Sequence, residues 1–114
     1  MGHGWEAWKT MPHERQRLID LIDTSSSDSV LFISGDRHRG GLYQLTSSSG
    51  KNIVEMTSSS LNLSFTNDEE AGPLRVGPTF VQENYGEILL DKLSNELTVN
   101  LKDNQGRIIQ SVDI

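Results

Sequence analysis

The sequence predicts an α+β fold made of one N-terminal helix, one buried strand, a β-hairpin and a C-terminal antiparallel meander. Three observations indicate this order. Apolar residues recur at helical spacing near the start, a short uninterrupted apolar run follows, and apolar and polar residues alternate in the last third. At 114 residues the chain is long enough for one domain with a modest core, so we expect a single domain over residues 1–114.

The N-terminal part is predicted to hold a helix followed by a strand. In PHERQRLIDLIDTSS the leucines and isoleucines recur at helical spacing among charged residues, and Pro12 suits a first helical turn, so we expect a helix over residues 12–23. The run SVLFIS, residues 29–34, is uncharged and bounded by turn-forming residues. This pattern predicts a strand that is buried on both faces.

The middle of the chain is predicted to form a hairpin and then a long loop. In GLYQLTSSSGKNIVEMTSSS, residues 42–46 and 52–57 read as strands that flank the turn signal SSSGK. Residues 66–79 are rich in Asn, Glu, Gly and Pro, which is typical of a loop. The serine clusters at 25–27, 47–49 and 58–60 each follow a predicted element, and turn chemistry accounts for them better than disorder does.

The last third is predicted to be an antiparallel meander. Strands are expected at residues 86–91, 96–101 and 107–112, with the turns KLSN and KDNQG between them. In the middle strand Leu97, Val99 and Leu101 alternate with polar residues, so this strand should bury one face only.

Composition and charge exclude several classes of protein. The net charge of −6 argues against a nucleic-acid or anionic-membrane surface, and no apolar run is long enough to cross a membrane. The absence of cysteine excludes disulfides, thiolate zinc sites and a cysteine nucleophile. The first residues lack the apolar centre of a signal peptide, and the sequence leaves the localisation of the protein undetermined.

The sharpest chemical signal lies where the predicted strand 29–34 ends in SGDRH. In open α/β sheets ligands bind beyond the carboxyl ends of strands. Asp36 and His38 are two positions apart, so an extended loop would point both side chains the same way, and a carboxylate with an imidazole suits a metal ion. The spacing alone also allows a second interpretation, in which Asp36 caps a turn and His38 is a solvated loop residue.

Four blocks of this sequence carry a family resemblance. VLFISGDRH, LYQLTSSS with VEMTSSSLN, and RVGPTFVQENYGEILLD follow one another, and WKTMPHERQRLIDLI precedes them. Together they resemble the C-terminal portion of alkaline phosphatase D-like metallophosphatases, a branch of the calcineurin-like metallophosphoesterases, over nearly the whole chain. The resemblance implies a partial α/β/β/α sandwich around metal ions (iron, calcium, manganese or zinc), hydrolysis of phosphomonoesters or phosphodiesters, and a family whose members are often exported.

The resemblance also implies roles for individual residues. Asp36 is expected to be a metal ligand, and His38 a ligand or the catalytic residue that assists proton transfer to the leaving group. Arg37 and Arg39 could contact phosphate, although arginines beside an acidic loop are also commonly solvated or paired. Two further residues, Asn84 and Gly86, match a family position just before a strand, and we expect them to form a structural turn near the site, because both residue types tolerate positive φ.

The sequence departs from the family in one important respect. The first aspartate block, a separate GD motif and the Asp- and His-containing block ending in Asn are absent. Two candidate ligands cannot hold a multinuclear centre, so we expect the chain on its own to bind metal weakly or not at all and to be inactive. Exposed strand edges should then pair with a missing N-terminal part or with a second copy in a homo-oligomer.

Two other functions are alternatives to the phosphoesterase interpretation. The first is a non-catalytic β-rich structural or oligomerisation module, in which SGDRH is only a turn. The second is a Ser-His-Asp hydrolase, which we disfavour because no G-x-S-x-G elbow is present and Asp36 is too close in sequence to orient the ring of His38.

Overall fold

The structure is a computed structural model that describes residues 7–66 and 72–114. Within these residues it contains one α-helix and seven strands in two sheets, so the fold is mixed α+β and mostly β. A 3-10 turn, Trp8–Thr10, precedes the first element. The elements are α1 (Pro12–Thr24), β1 (Ser29–Ser34), β2 (Gly40–Thr46), β3 (Asn52–Ser58), β4 (Arg75–Phe80), β5 (Asn84–Asp91), β6 (Glu96–Asp103) and β7 (Ile108–Asp113).

The seven strands are divided between a mixed sheet and an antiparallel sheet. The first sheet has the order β1-β3-β2-β4; β1 runs parallel to β3, and the other neighbours are antiparallel. The second sheet has the order β5-β6-β7 and is antiparallel throughout. In the part of the chain that the structure describes, no helix is long and apolar enough to cross a membrane.

The helix and the two sheets form three layers. On one face of the first sheet, Ile19 and Ile22 of α1 pack with Ile53. On the opposite face, Met56 packs with Val99 of the second sheet. Because successive side chains of a strand point to opposite faces, β3 takes part in both cores, and the first sheet is the middle layer.

At two glycines the two sheets approach each other closely. A Cβ added to Gly40 would lie 2.7 Å from Leu101 Cδ1 and 2.8 Å from Asn84 Oδ1. A Cβ added to Gly86 would overlap the thioether end of Met56. At Gly40 glycine is therefore required by the small separation of the two sheets rather than by backbone conformation, whereas at Gly86 the flexible end of Met56 would have to shift.

Polar contacts fasten the C-terminal end of α1 to the turn between β2 and β3. The carboxylate of Asp23 accepts hydrogen bonds from the hydroxyls of Ser48 and Ser49, both at 2.6 Å. Lys51 Nζ donates at 2.9 Å to the carbonyl of Ile22, which also accepts the backbone N–H of Ser25, so a lysine from the turn contacts the C-terminal end of the helix directly. The serine cluster at 47–49 therefore combines turn formation, as predicted, with anchoring of the helix.

The helix, the hairpin and the meander predicted from the sequence are confirmed, and three expectations about the strands are wrong. β6 does not bury one face only: Asn100, on the face opposite Val99, is 2% exposed because Glu87 and Ser111 of the neighbouring strands contact it. Residues 75–79 of the predicted loop belong to β4, which pairs with β2; the part of that loop at 67–71 lies outside the described residues. The strand at 29–34 is not buried on both faces: none of its residues is fully buried, because the second sheet packs mainly on β2 and β3 and only Leu31 of β1 packs against the core between the sheets. As a result Ile33 is 67% exposed.

The Gly40 contact can be tested with a pair of neighbouring glycine variants. We expect Gly40→Ala to lower the free energy of unfolding by about 1–3 kcal/mol, because Leu101 is fully buried and cannot move away from a new methyl group. Gly41→Ala is the control, because its Cβ would lie 3.5 Å from its nearest neighbours, an ordinary contact. Urea unfolding measures both variants, and equal stabilities for the two would contradict this account of the sheet packing.

The anchoring of α1 predicts a dependence of stability on pH. Hydrogen bonds from Ser47, Ser48 and Ser49 lower the pKa of Asp23 from 3.8 to about 2. A lowered pKa in the folded state means that this contribution to stability is present above pH 4 and is lost as the pH falls towards 2. In Asp23→Asn we therefore expect a smaller loss of stability over this interval, measured by urea unfolding at pH 2 to 6.

A variant that keeps the carboxylate controls for the change of charge. The double variant Ser48→Ala with Ser49→Ala removes two of the three hydroxyl donors and should partly flatten the profile between pH 4 and pH 2. Profiles parallel to that of the native chain in both variants would show that these hydrogen bonds do not stabilise the fold.

Candidate functional site

The loop of residues 35–39, which we call the GDRHR loop, connects β1 to β2 at the carboxyl end of the parallel pair β1 and β3. Asp36 (φ 64°) and His38 (φ 52°) both adopt the left-handed backbone conformation. Residues other than glycine rarely adopt it, and such conformations are concentrated at functional sites. The extended loop expected from the sequence is wrong, so the alternation argument does not fix the relative directions of these two side chains.

One serine holds the GDRHR loop from the end of β3. Ser59 Oγ accepts a hydrogen bond from the backbone N–H of Arg37 at 2.9 Å. The same hydroxyl lies 3.2 Å from the backbone carbonyl of Arg39, to which it donates. Both arms of the loop are therefore tied to one side chain, which stabilises the unusual backbone between them.

His38 is held by the segment that follows β3. Its Nδ1 lies 2.9 Å from the carbonyl oxygen of Leu63, and its own carbonyl accepts the N–H of Phe65 at 2.9 Å. The ring stacks on Phe65 with centroids 4.3 Å apart and 14° between the planes. A carbonyl oxygen can only accept, so Nδ1 carries a proton, and in the neutral ring Nε2 has the lone pair, as in histidines that bind metal through Nε2.

The carboxylate of Asp36 is exposed on the same loop. It forms no hydrogen bond with any other described residue, so its oxygens are available to a cation. Across residues 7–66 and 72–114, no group of three or more His, Cys, Asp or Glu side chains comes together. Within this part of the chain, Asp36 and His38 therefore form at most part of a ligand set.

The two arginines of the loop differ in environment. Arg37 is half-buried, whereas Arg39 is only 7% exposed. The Nη2 of Arg39 donates to the carbonyl of Phe65 at 3.3 Å, which brings Arg39 to the same segment as His38. The alternative of a solvated arginine is therefore wrong for Arg39, while phosphate binding by either residue stays a prediction.

Asn84 and Gly86 belong to β5 and do not form the turn expected from the sequence, and neither has positive φ. Asn84 is 2% exposed, and its side chain accepts from Ser58 Oγ at 3.1 Å and donates to the Gln82 carbonyl at 2.7 Å. Its backbone N–H donates to the carbonyl of Ser60 at 2.8 Å. Asn84 therefore joins the second sheet to the end of β3, directly beneath the GDRHR loop.

Sequence reasoning missed a buried polar group at the end of the parallel strands. Glu55 is 6% exposed, and one of its oxygens accepts from Ser34 Oγ at 3.0 Å. The Ser34 hydroxyl also lies 2.7 Å from that of Thr57, which is 2% exposed. A carboxylate inside the apolar run NIVEMT was the available signal, because a charge buried in a strand needs a partner.

Comparison of the chain with protein-family models, with curated proteins and with solved structures finds no match. Any function proposed for this chain must therefore be supported by the geometry of the GDRHR loop and its neighbours. The imidazole of His38 and the guanidinium of Arg39 are the two groups of this loop that the structure brings to the same segment, at Phe65.

The contact of His38 with Leu63 predicts one tautomer of the ring. We expect neutral His38 to carry its proton on Nδ1, seen in long-range ¹H–¹⁵N spectra as a protonated Nδ1 and an unprotonated Nε2, because the Leu63 carbonyl accepts only from an N–H. His13, which is exposed on α1, provides the comparison within the same spectrum. A proton on Nε2 of neutral His38 would contradict the geometry of this ring.

Proposed function

We propose that the chain is the C-terminal portion of a metal-dependent phosphoesterase of the alkaline phosphatase D-like type, in which the GDRHR loop contributes Asp36 and His38 to a metal centre. The observation that carries this proposal is the orientation of His38. Its Nδ1 is occupied by the Leu63 carbonyl, which leaves Nε2 as a ready nitrogen ligand, and Asp36 supplies an oxygen ligand from the same loop.

The arrangement of layers supports the proposal. A helix, a mixed sheet and an antiparallel sheet, packed in this order, correspond to three of the four layers of an α/β/β/α sandwich. The loop lies at the carboxyl ends of the two parallel strands, where α/β sheets bind their ligands. In this interpretation the described residues contribute three layers and one edge of the site.

The donor set fits a transition metal. One imidazole nitrogen and one carboxylate oxygen suit zinc, manganese or iron, and calcium would use the carboxylate but not the imidazole. When bound, such an ion polarises phosphoryl oxygens and lowers the pKa of a coordinated water. The chain itself would hold His38 in one tautomer, so that the ring can ligate a metal or transfer a proton at Nε2. It would also place the cationic side chains of Arg37 and Arg39 beside this ring.

Two ligands do not complete a catalytic centre, so we propose that the remainder comes from another segment of polypeptide. The outer edge of β1 supports this, because it pairs with no strand of the described residues. β1 is uncharged and runs parallel to β3, and such strands are normally flanked on both sides. Inner-face residues of β5 are also uncovered, with Ile88 40% and Leu90 56% exposed. We therefore expect no hydrolysis of phosphate esters by the isolated chain.

The same uncovered surface favours one alternative, a non-catalytic β-rich module that assembles as a homo-oligomer through strand edges. Exposed apolar side chains on three strands support it. They are Ile33, Ile88, Leu89, Leu90, Ile108 and Ile109. This alternative requires no metal, so metal binding separates the two proposals.

Calorimetric titration with zinc, manganese, iron(II) and calcium tests the metal site. We expect weak binding of at least one transition metal by the native chain, and a loss of affinity of roughly tenfold or more in both Asp36→Ala and His38→Ala. His13→Ala is the matched control, because it removes an exposed imidazole remote from the loop in sequence. Absence of heat with every ion, or equal heat in all variants, would reject the metal site.

Assays of activity and mass complete this test. Nitrophenyl phosphate should not be hydrolysed beyond the rate of buffer containing the same metal, because the ligand set is incomplete. If metal binding is absent and light scattering shows a stable dimer that Ile33→Lys dissociates, the module interpretation replaces the phosphoesterase one.

A further inference from the structure

The guanidinium of Arg39 is buried without a sufficient set of acceptors. Arg39 is 7% exposed, and its Nε and Nη1 are buried atoms with no hydrogen-bond partner. The remaining nitrogen, Nη2, donates to the carbonyl of Phe65 at 3.3 Å, which is beyond the usual range for an N–H···O bond. Among the described residues, a guanidinium with five N–H donors therefore forms one hydrogen bond, which is long and goes to a neutral oxygen.

The charge of Arg39 is also uncompensated. Among the described residues no carboxylate lies within ion-pair distance of it, whereas Arg17 pairs with Glu14 at 2.8 Å and Arg107 with Asp103 at 2.7 Å. Those two arginines are exposed, with side chains 77% and 70% accessible, so water would also solvate them. A buried arginine without a counter-ion is strongly unfavourable unless another group binds it.

We propose that Arg39 is a binding residue for a phosphate oxyanion. An anion with several acceptor oxygens would satisfy the free N–H groups and neutralise the charge, and planar guanidinium binds phosphate in a bidentate manner. The choice of phosphate over another anion rests on the proposed function, since Arg39 directly follows His38 along the loop. A carboxylate from a partner protein has the same recognition chemistry and is an outcome of the test.

Phosphate binding would require the Phe65 carbonyl to move away from Arg39, and the structure shows why this movement is possible. The segment over the loop keeps its apolar side chains outside: Leu61 is 79%, Leu63 56% and Phe65 49% exposed. Little apolar burial therefore holds this segment down, and its contact with Arg39 is long. Because Phe65 stacks on His38, movement of its backbone would also be reported by the ring of His38.

Thermal unfolding with inorganic phosphate tests the inference, with chloride at matched ionic strength as the reference. At saturating phosphate we expect the melting temperature of the native chain to rise by at least about 4 °C, because a ligand that binds only the folded state stabilises it. Arg39→Met keeps the length and apolar stem of the side chain but removes the donors, and should lose this rise. Arg17→Gln makes the same change of charge at an exposed arginine and should keep it.

Without phosphate, Arg39→Met should melt at or above the native temperature, because it removes a buried charge that has no counter-ion. Arg39→Lys separates charge from geometry and should retain only a small part of the phosphate effect. Equal phosphate shifts in the native chain and Arg39→Met would overturn the inference. A shift produced by acetate but not by phosphate would reject phosphate and assign the site to a carboxylate.

A spectroscopic readout keeps this inference separate from the proposed function. Phosphate should move the ring resonances of His38, through the change in its stacking on Phe65, and should leave those of His13 unchanged. All of these measurements are made without metal, and Asp36→Ala should retain the phosphate shift. Loss of metal binding with an intact phosphate shift would reject the metal site alone, and the converse would reject the role of Arg39 alone.

Discussion

The close approach of the two sheets is the constraint on which the site depends. At Gly40 the second sheet comes so near that Leu101 and Asn84 occupy the space of a side chain. Gly40 immediately follows Arg39, so this contact fixes the end of the GDRHR loop in place. Asn84, held at the same point, also binds the chain that leaves β3. The packing of the core thus fixes where the GDRHR loop ends and where the chain that leaves β3 runs.

The unusual backbone conformation of the GDRHR loop is stabilised by contacts with residues outside the loop. Left-handed conformations at Asp36 and His38 are unfavourable for residues with a Cβ, and local hydrogen bonds within five residues do not offset them. The contacts that do so come from Ser59, Leu63 and Phe65, all of which follow β3. The chain leaving β3 is therefore part of the site, because without it the imidazole would have neither a fixed tautomer nor a fixed direction.

Periodicity and turn chemistry were sufficient to predict most of the secondary structure. They failed at β4, where Gly77 and Pro78 interrupt the alternation and Gly77 adopts positive φ, so the strand reads as a loop. These patterns could also identify Asp36 and His38 as candidate site residues, because a polar cluster follows the apolar run at 29–34. They could not provide the partners of His38, since Leu63 lies 25 residues further along the chain and contributes only a backbone carbonyl. Contacts of this kind depend on the tertiary fold and leave no mark in the side-chain pattern.

Three different features of the structure occur at β1 and the GDRHR loop that follows it. Among the described residues the outer edge of this parallel strand pairs with no other strand, no group of three or more His, Cys, Asp or Glu side chains comes together, and Nε and Nη1 of Arg39 are buried without a hydrogen-bond partner. A strand added parallel to β1 would end beside the GDRHR loop, because parallel strands present their carboxyl ends at one edge of a sheet. The loop after that strand could then place further ligands against Asp36 and His38. One neighbouring segment would thereby account for both the open edge and the incomplete site, and phosphate held between the completed centre and Arg39 would account for the third feature.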